Sequence, residues 1–264
     1  MGDSYFHVVS EDARHGLYQS SEATAGPWDG RLQHGGPPTA LSVRAAERAA
    51  GDATGRTDLV AVRISAEFVG PVPVDTLEVR ADVVRVARSA VLVQTVISAQ
   101  GRDCLQARTW LVRDLDTSAV AHTTIPRHPA DGLPGSGASF PYADSIEWRA
   151  EQGSVSEIGP GRLWGRQRLS IVADEPPGGL QQVALIADTA SGVSSELDWQ
   201  AWSFVNVDLD VHIARPIVGP WVLLDARTQL GGNGSALTTS TVSDVAGQLG
   251  CTAQTLVLAP RSRP

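Results

Sequence analysis

The sequence predicts an α+β chain built as two fused units, each a helix laid on an antiparallel sheet. Three observations carry that expectation. Leu59 to Arg113 and Phe204 to Ala259 are two versions of one segment at an offset of 145, so Val60, Val62, Ile64 and Phe68 fall on Val205, Val207, Leu209 and Ile213, and Pro71 falls on Pro216. Both versions alternate apolar and polar residues with a period of two and in the same phase, as equivalent strands do. Each is preceded by one helical run and no further helix separates its strands. That order is unlike a doubly wound β-α-β sheet and fits an antiparallel sheet with one face covered.

In chain order, GLYQSSEA reads as a strand. His34-Gly35-Gly36-Pro37-Pro38 then opens the alanine-rich run TALSVRAAERAA, with proline in the first helical turn, where its missing N–H does no harm. The strand from Leu59 is followed by TLEVRADVVRV, VLVQTVIS and CLQARTWLV, with Ala87-Arg88-Ser89 as a weak turn. From about Asp114 to Pro160, including HPADGLPGSG, the chain has the Pro/Gly-rich character of a linker. The division is therefore a first unit at 1–118, a linker and lead-in segment at 119–158, and a second unit at 159–264. The second unit begins with GRLWGRQRLS as its first strand. Asp174-Glu175-Pro176-Pro177-Gly178-Gly179 opens its helix, LQQVALIADTASGV, where Leu180, Val183, Ala184, Ala187 and Ser191 form a face at helical spacing. FVNVDLDVHIARP, WVLLDARTQL, ALTTSTVS and CTAQTLVL repeat the four strands. The turn Gly231-Gly232-Asn233-Gly234 contains Asn-Gly, which accepts the positive φ of a tight hairpin. In the last strand one extra residue moves the offset to 146 and sets Arg108 opposite Gln254.

Composition removes several functions. A net charge of −8 and a pI near 5.2 argue against a nucleic-acid binder with its own basic footprint. All 21 Lys+Arg residues are arginine, a bias from which no function is drawn. Cys104 and Cys251 belong to no C-x-x-C or Cys/His cluster, which fits a reducing compartment and makes a structural zinc or other metal unexpected. The amino-terminal MGDSYFHVVSEDARHG lacks the apolar stretch of a secretory leader, and no run has the length of a membrane span, so a cytoplasmic protein is expected. G-x-S-x-G, Walker, H-E-x-x-H, EF-hand and G-x-G-x-x-G patterns are all missing, so the usual support for a serine hydrolase, nucleotide triphosphatase or zinc peptidase is missing too.

Chemistry has to come from the asymmetry between the units. Asp188 in the second helix faces Ala45 at an offset of 143 from the Gly-Gly pairs, Asn206 faces Ala61, and Gln254 faces Arg108. His34 precedes the first Gly-Gly pair where Pro177 precedes the second. An aspartate in mid-helix has poor propensity and at the edge of a core resists desolvation. By spacing alone, Asp188 suits a solvated helix shoulder as well as a catalytic base. His34 suits a loop or helix cap, Gly35 and Gly36 suit a turn, and Asn206 and Gln254 suit exposed sheet positions.

Taken together, HGGPPTAL, ALIADTASG, FVNVDLDVHIARP and CTAQTLVL resemble the acyl-CoA thioesterase II family of double-hotdog proteins, from about Gly16 to Pro260 and best in the second half. The resemblance implies a double hotdog, in which each sheet wraps around a central helix, and hydrolysis of a fatty or related acyl-CoA to free acid and coenzyme A. It implies that Asp188, Asn206 and Gln254 order and activate the hydrolytic water, with Asn206 standing where better-known members carry threonine or serine. The HGG opening is also similar to single-hotdog thioesterases, which implies substrate-positioning roles for His34, Gly35 and Gly36, a backbone N–H polarising the thioester carbonyl. No cofactor is implied. Coenzyme A enters as part of the substrate, with Arg63, Arg88, Arg108 and Arg215 as candidate phosphate ligands. Two other functions stay open: a non-catalytic acyl-thioester binding protein, and an enoyl-CoA hydratase or dehydratase working through His34 and Asp188. Unbroken alternation sets Asn206 opposite Val205 and Val207, and Gln254 opposite Ala253 and Thr255. A bulge, a strand end or a groove between the units must then bring both to Asp188. Exposed sheet edges lead to the expectation of a homodimer.

Overall fold

The computed structural model describes residues 4–122, 124–176 and 178–261. Pro177, contrasted above with His34, lies outside them. The first unit contains β1 (Ser4–Glu11), β2 (His15–Ser20), α1 (Gly36–Thr54), β3 (Leu59–Phe68), β4 (Thr76–Val86), β5 (Ala90–Ala99) and β6 (Arg102–Arg113). The second contains α2 (Pro141–Asp144), β7 (Ile146–Gln152), β8 (Gly161–Gln167), β9 (Ser170–Val172), α3 (Gly179–Ala187), α4 (Ala190–Val193), β10 (Trp202–Asn206), β11 (Asp208–Ile213), β12 (Val222–Leu230), β13 (Ser235–Asp244) and β14 (Gly247–Pro260).

The alternating segments join into one sheet, because β3 of the first unit and β11 of the second pair antiparallel, Asp210 against Ser65 and Val211 against Ile64. From that seam the order runs outward through β6, β5, β4, β2 and β1 on one side and through β14, β13, β12, β8 and β7 on the other, with β10 also on β14. The short β9 crosses back and pairs parallel with β1. This is a double hotdog, with α1 and α3 packed on each other inside the curved sheet. Alanine at 40, 45, 46, 49 and 50 keeps α1 thin enough to be buried there on almost every side. At its start a Cβ on Gly36 would lie 2.1 Å from the Leu185 carbonyl oxygen, so only glycine permits this approach of α1 to α3. Arg44 of α1, almost fully buried, donates to Glu11 of β1 and to Glu175 ahead of α3, pairing the charge that burial would otherwise strand.

Several details depart from the linear reading. GRLWGRQRLS and GLYQSSEA do correspond, as β8 and β2, but each is the second strand of its unit. The preceding β1 and β7 went unread, and β7 lies inside the stretch 119–158 read as linker and lead-in. Its apolar alternation, Ile146, Trp148 and Ala150 inward, was visible but masked by proline and glycine before it. The offset of 146 is also corrected. The ladder pairs Val93 with Thr109 and Thr238 with Gln254, and both units slip register at the same place, between Ile97 and Ser98 and between Val242 and Ser243. An offset of 145 therefore holds to the end, and the counterpart of Gln254 is the buried Thr109, not Arg108, which lies on the outer face. In the hairpin before β13, Gly232 and Gly234 supply the positive φ, at 74° and 88°. Asn233 instead accepts from the Ser235 N–H and hydroxyl.

Candidate functional site

Asp188 is not in mid-helix. Helix α3 stops at Ala187, a tightened turn carries Asp188 and Thr189, and α4 follows, so the carboxylate emerges at a break between helical pieces. All of α3 from Leu180 to Ala187 is buried, which explains why a single apolar face described it poorly.

The phase of the neighbouring strand is resolved by a bulge. Phe204 and Asn206 point inward while Val205 and Val207 are exposed; beyond the β10–β11 break at Val207 the inward set becomes Leu209, Val211 and Ile213. One extra residue has reversed the alternation, as β-bulges do. The first unit slips at the equivalent point, between Ala61 and Arg63. On β14 the inward row is Thr252, Gln254 and Leu256, which aims Gln254 at α3. A bulge was among the devices required for Asn206 and Gln254 to reach Asp188, and Val205 and Val207 are not the core face.

These placements converge on one carboxylate. Asn206 Nδ2 donates to Asp188 Oδ1 at 2.7 Å, and Gln254 Nε2 lies 3.2 Å from the same oxygen. His34 Nδ1 is 2.8 Å from Asp188 Oδ2. Because an ionised carboxylate only accepts, Nδ1 must carry the proton. The Gly36 N–H, 3.3 Å from that nitrogen, then finds no acceptor in it. The Gly35 N–H also bears on the carboxylate, and a Cβ there would sit 2.9 Å from both of its oxygens. Burial pushes the Asp188 carboxyl up, but His34, Asn206 and the Gly35 amide together outweigh it and hold the group below its ordinary value.

Tyr142 of α2 orders His34. The two rings stack at 3.8 Å and 7°, and the Tyr142 hydroxyl donates to the Leu185 carbonyl at 2.7 Å. Burial pushes the phenol well up, so it remains a neutral donor. Asp188, Asn206, His34 and Gly35 line a cavity of about 400 Å³. Gln254 is buried behind Asp188 and does not line it, while Gly36 serves the helix contact described above. Seven of the chain's 14 aromatic residues line this cavity, including Trp28 stacked on Trp199 at 4.9 Å with Phe204 edge-on to both. Neither this wall nor Tyr142 is marked by any motif in the sequence. These aromatics are scattered along the chain, and no spacing rule links them.

Of the four arginines considered for phosphate, none lines this cavity. Arg215 is held in a two-pronged pair by the buried Asp244, and Arg63 faces Asp210 across the sheet seam. Arg261 instead lies over Trp28, 5.6 Å from the ring centre, and donates to the Trp199 carbonyl.

A helix pair inside a continuous sheet, with one carboxylate gathering donors from both units, defines a protein of the double-hotdog class. Family models supply the activity class: residues 24–112 match the acyl-CoA thioesterase N-terminal domain and residues 119–258 the acyl-CoA thioesterase C-terminal domain. The chain belongs to the acyl-CoA thioesterase family and is a thioester hydrolase by that membership. Among solved structures it is similar to an acyl-CoA thioesterase II from Mycobacterium marinum (15% identity, 97% of each chain, TM-score 0.70). The tesB protein of Mycobacterium avium subspecies paratuberculosis is comparable (15% identity, 96% of each chain, TM-score 0.72). A hot dog fold protein of unknown function from Alicyclobacillus acidocaldarius also superposes (17% identity, 97% of this chain and 96% of that one, TM-score 0.73). No curated protein matches the chain. Among the described residues, no helix is long and apolar enough to cross a membrane.

Asn206→Ala tests the site directly. Loss of one hydrogen bond to a charged group, worth about 1.5–3 kcal/mol, is expected to lower kcat roughly ten- to a hundredfold. Steady-state kinetics on an acyl-CoA checks it.

Proposed function

We propose that the chain hydrolyses a fatty or related acyl-CoA, with Asp188 as general base for a water held between its carboxylate and the Asn206 side-chain carbonyl. The observation that carries this is the set of four N–H groups, from His34, Gly35, Asn206 and Gln254, around one buried carboxylate at the wall of an aromatic-lined cavity. A carboxylate has about four lone-pair positions, so these donors fill it. When the thioester carbonyl arrives, the Gly35 N–H exchanges Asp188 for the carbonyl oxygen. That exchange supplies a donor for the developing oxyanion and frees a lone pair for the water. Water then adds to the carbonyl carbon as Asp188 takes its proton, and collapse expels the coenzyme A thiolate. His34 keeps the carboxylate ionised, and Gln254 fixes its orientation from behind.

Thiol release from short-, medium- and long-chain acyl-CoAs is the test. Turnover well above background is expected for acyl groups that the 400 Å³ cavity admits; tight binding without turnover would instead leave a binding protein. The 2.8 Å contact between His34 and Asp188 favours a second reading, hydration of an enoyl-CoA by that pair. Loss of the enoyl absorbance without thiol release would establish it. We further propose that the protein works in the cytoplasm as a homodimer.

A further inference from the structure

The repeat that builds the fold also builds a second cavity. Applying the offset of 145, Asn206, Phe68 and Val72 of the first cavity correspond to Ala61, Ile213 and Ile217, and these three line a separate cavity of about 420 Å³ between α1, β3 and the segment after β11. The catalytic set is gone from it: Ala45 stands for Asp188, Ala61 for Asn206 and Thr109 for Gln254. Other polar groups have appeared instead. Gln182, 3% exposed, and Arg215 both line the cavity, and Gln182 Nε2 and Arg215 Nε are buried N–H groups with no acceptor among the described residues. Glu47 lines it too, one carboxyl oxygen taking the Gln181 amide at 2.5 Å.

We propose that this second cavity is a non-catalytic binding site for an alkyl carboxylic acid, its carboxyl group at Gln182, Arg215 and Glu47 and its chain along Leu59, Ile213 and Ile217. Buried donors without acceptors carry an energetic cost that an acceptor-rich ligand removes. A carboxylate supplies up to four acceptor positions. Burial pushes the Glu47 carboxyl up to about 7, against the Gln181 hydrogen bond and the Arg44 charge and with Glu175 adding to it, so near neutrality Glu47 has a proton to share with the ligand. The volume falls within the range of small-molecule sites. The ligand class follows from this cavity's own donors; only its coincidence with the acid released by hydrolysis rests on the proposed function.

The test is titration of the full chain with decanoate, followed by calorimetry and by tryptophan fluorescence. Trp28, Trp148 and Trp199 line the first cavity and no described tryptophan lines the second, so calorimetry detects both sites and fluorescence only the first. The wild type is expected to bind two decanoates, one of them silent in fluorescence. Gln182→Leu, which replaces an unpaired buried amide by an apolar side chain of similar size, and Glu47→Leu are each expected to weaken the silent event at least tenfold. In both, the fluorescent event and thioester hydrolysis are unchanged. A silent event alone, lost in Gln182→Leu, supports this site and counts against fatty acyl binding in the first cavity. A single event that tracks fluorescence, a silent event that survives both substitutions, or no binding overturns the proposal.

Discussion

Asp188→Asn is expected to lower kcat by about 10²–10⁴-fold, the range for removing a positioned general base, with a much smaller change in KM. Asparagine keeps the size of the side chain; its carbonyl can still accept from Asn206 and Gln254, and its amide can donate to the other tautomer of the neutral His34 ring, so the protein should fold. What disappears is the proton acceptor. The wild-type pH profile reports the same group. His34, Asn206 and Gly35 hold the Asp188 carboxyl below the ordinary 3.8, so the base stays ionised as pH falls through the usual carboxylate range. The acid limb of kcat/KM, which reports the free enzyme, is therefore expected below that value where this group sets it. Stability follows the same sign. The contribution of a depressed carboxyl is fully present above its unfolded value and is lost as pH falls through the folded value. Urea denaturation at neutral and acid pH should show a smaller acid loss in Asp188→Asn than in the wild type. Undiminished turnover in this variant would remove Asp188 from the mechanism.

Gly36→Ala is expected to damage both fold and activity, although alanine is the better helix former. The new Cβ would stand 2.1 Å from the Leu185 carbonyl oxygen, a backbone atom that cannot swing aside. Overpacking of this kind costs roughly 1–3 kcal/mol. The same oxygen accepts the Tyr142 hydroxyl, and Tyr142 is the plate on which His34 stacks. Spreading α1 from α3 therefore moves Leu185, Tyr142, His34 and Asp188 together. Thermal denaturation should show a midpoint several degrees lower, and kinetics a kcat loss larger than any change in KM. A variant with wild-type stability would mean that the helices pass each other without the close contact at Gly36.

The fold was legible because it is written twice. Period-two alternation recurs at one offset, and two similar strand sets each preceded by one helix leave few ways to cover an apolar face. Asp188, Asn206 and Gln254 were legible as places where one copy is polar and the other is not, and His34 and Gly35 as part of a family-like opening. The side of the sheet was not legible. Val205 and Val207 look like core residues in a linear string, yet the bulge at Val207 turns them outward and brings Asn206 in. Gln254 was matched to Arg108 by its strand's similarity, whereas the ladder matches it to Thr109. Hydrogen-bond register is a property of two strands at once, so a single strand's residues do not specify it.

The opening strands β1 and β7 went unread for a related reason. Their short apolar stretches gain a partner only when β2 and β8 fold against them. The sequence alone determined that there are two units of strands and helix, that the polar residues are divided unequally between them, and that this division resembles one family's chemistry. Only the tertiary structure decided that His34 from one unit and Asp188 from the other lie 2.8 Å apart. It alone decided that seven scattered aromatics make one wall and that a second cavity survives without the catalytic set. Composition and periodicity act locally along the chain, whereas a site drawn from the residues just before α1, from α2, from the turn after α3 and from β10 and β14 exists only once the sheet has closed around both helices.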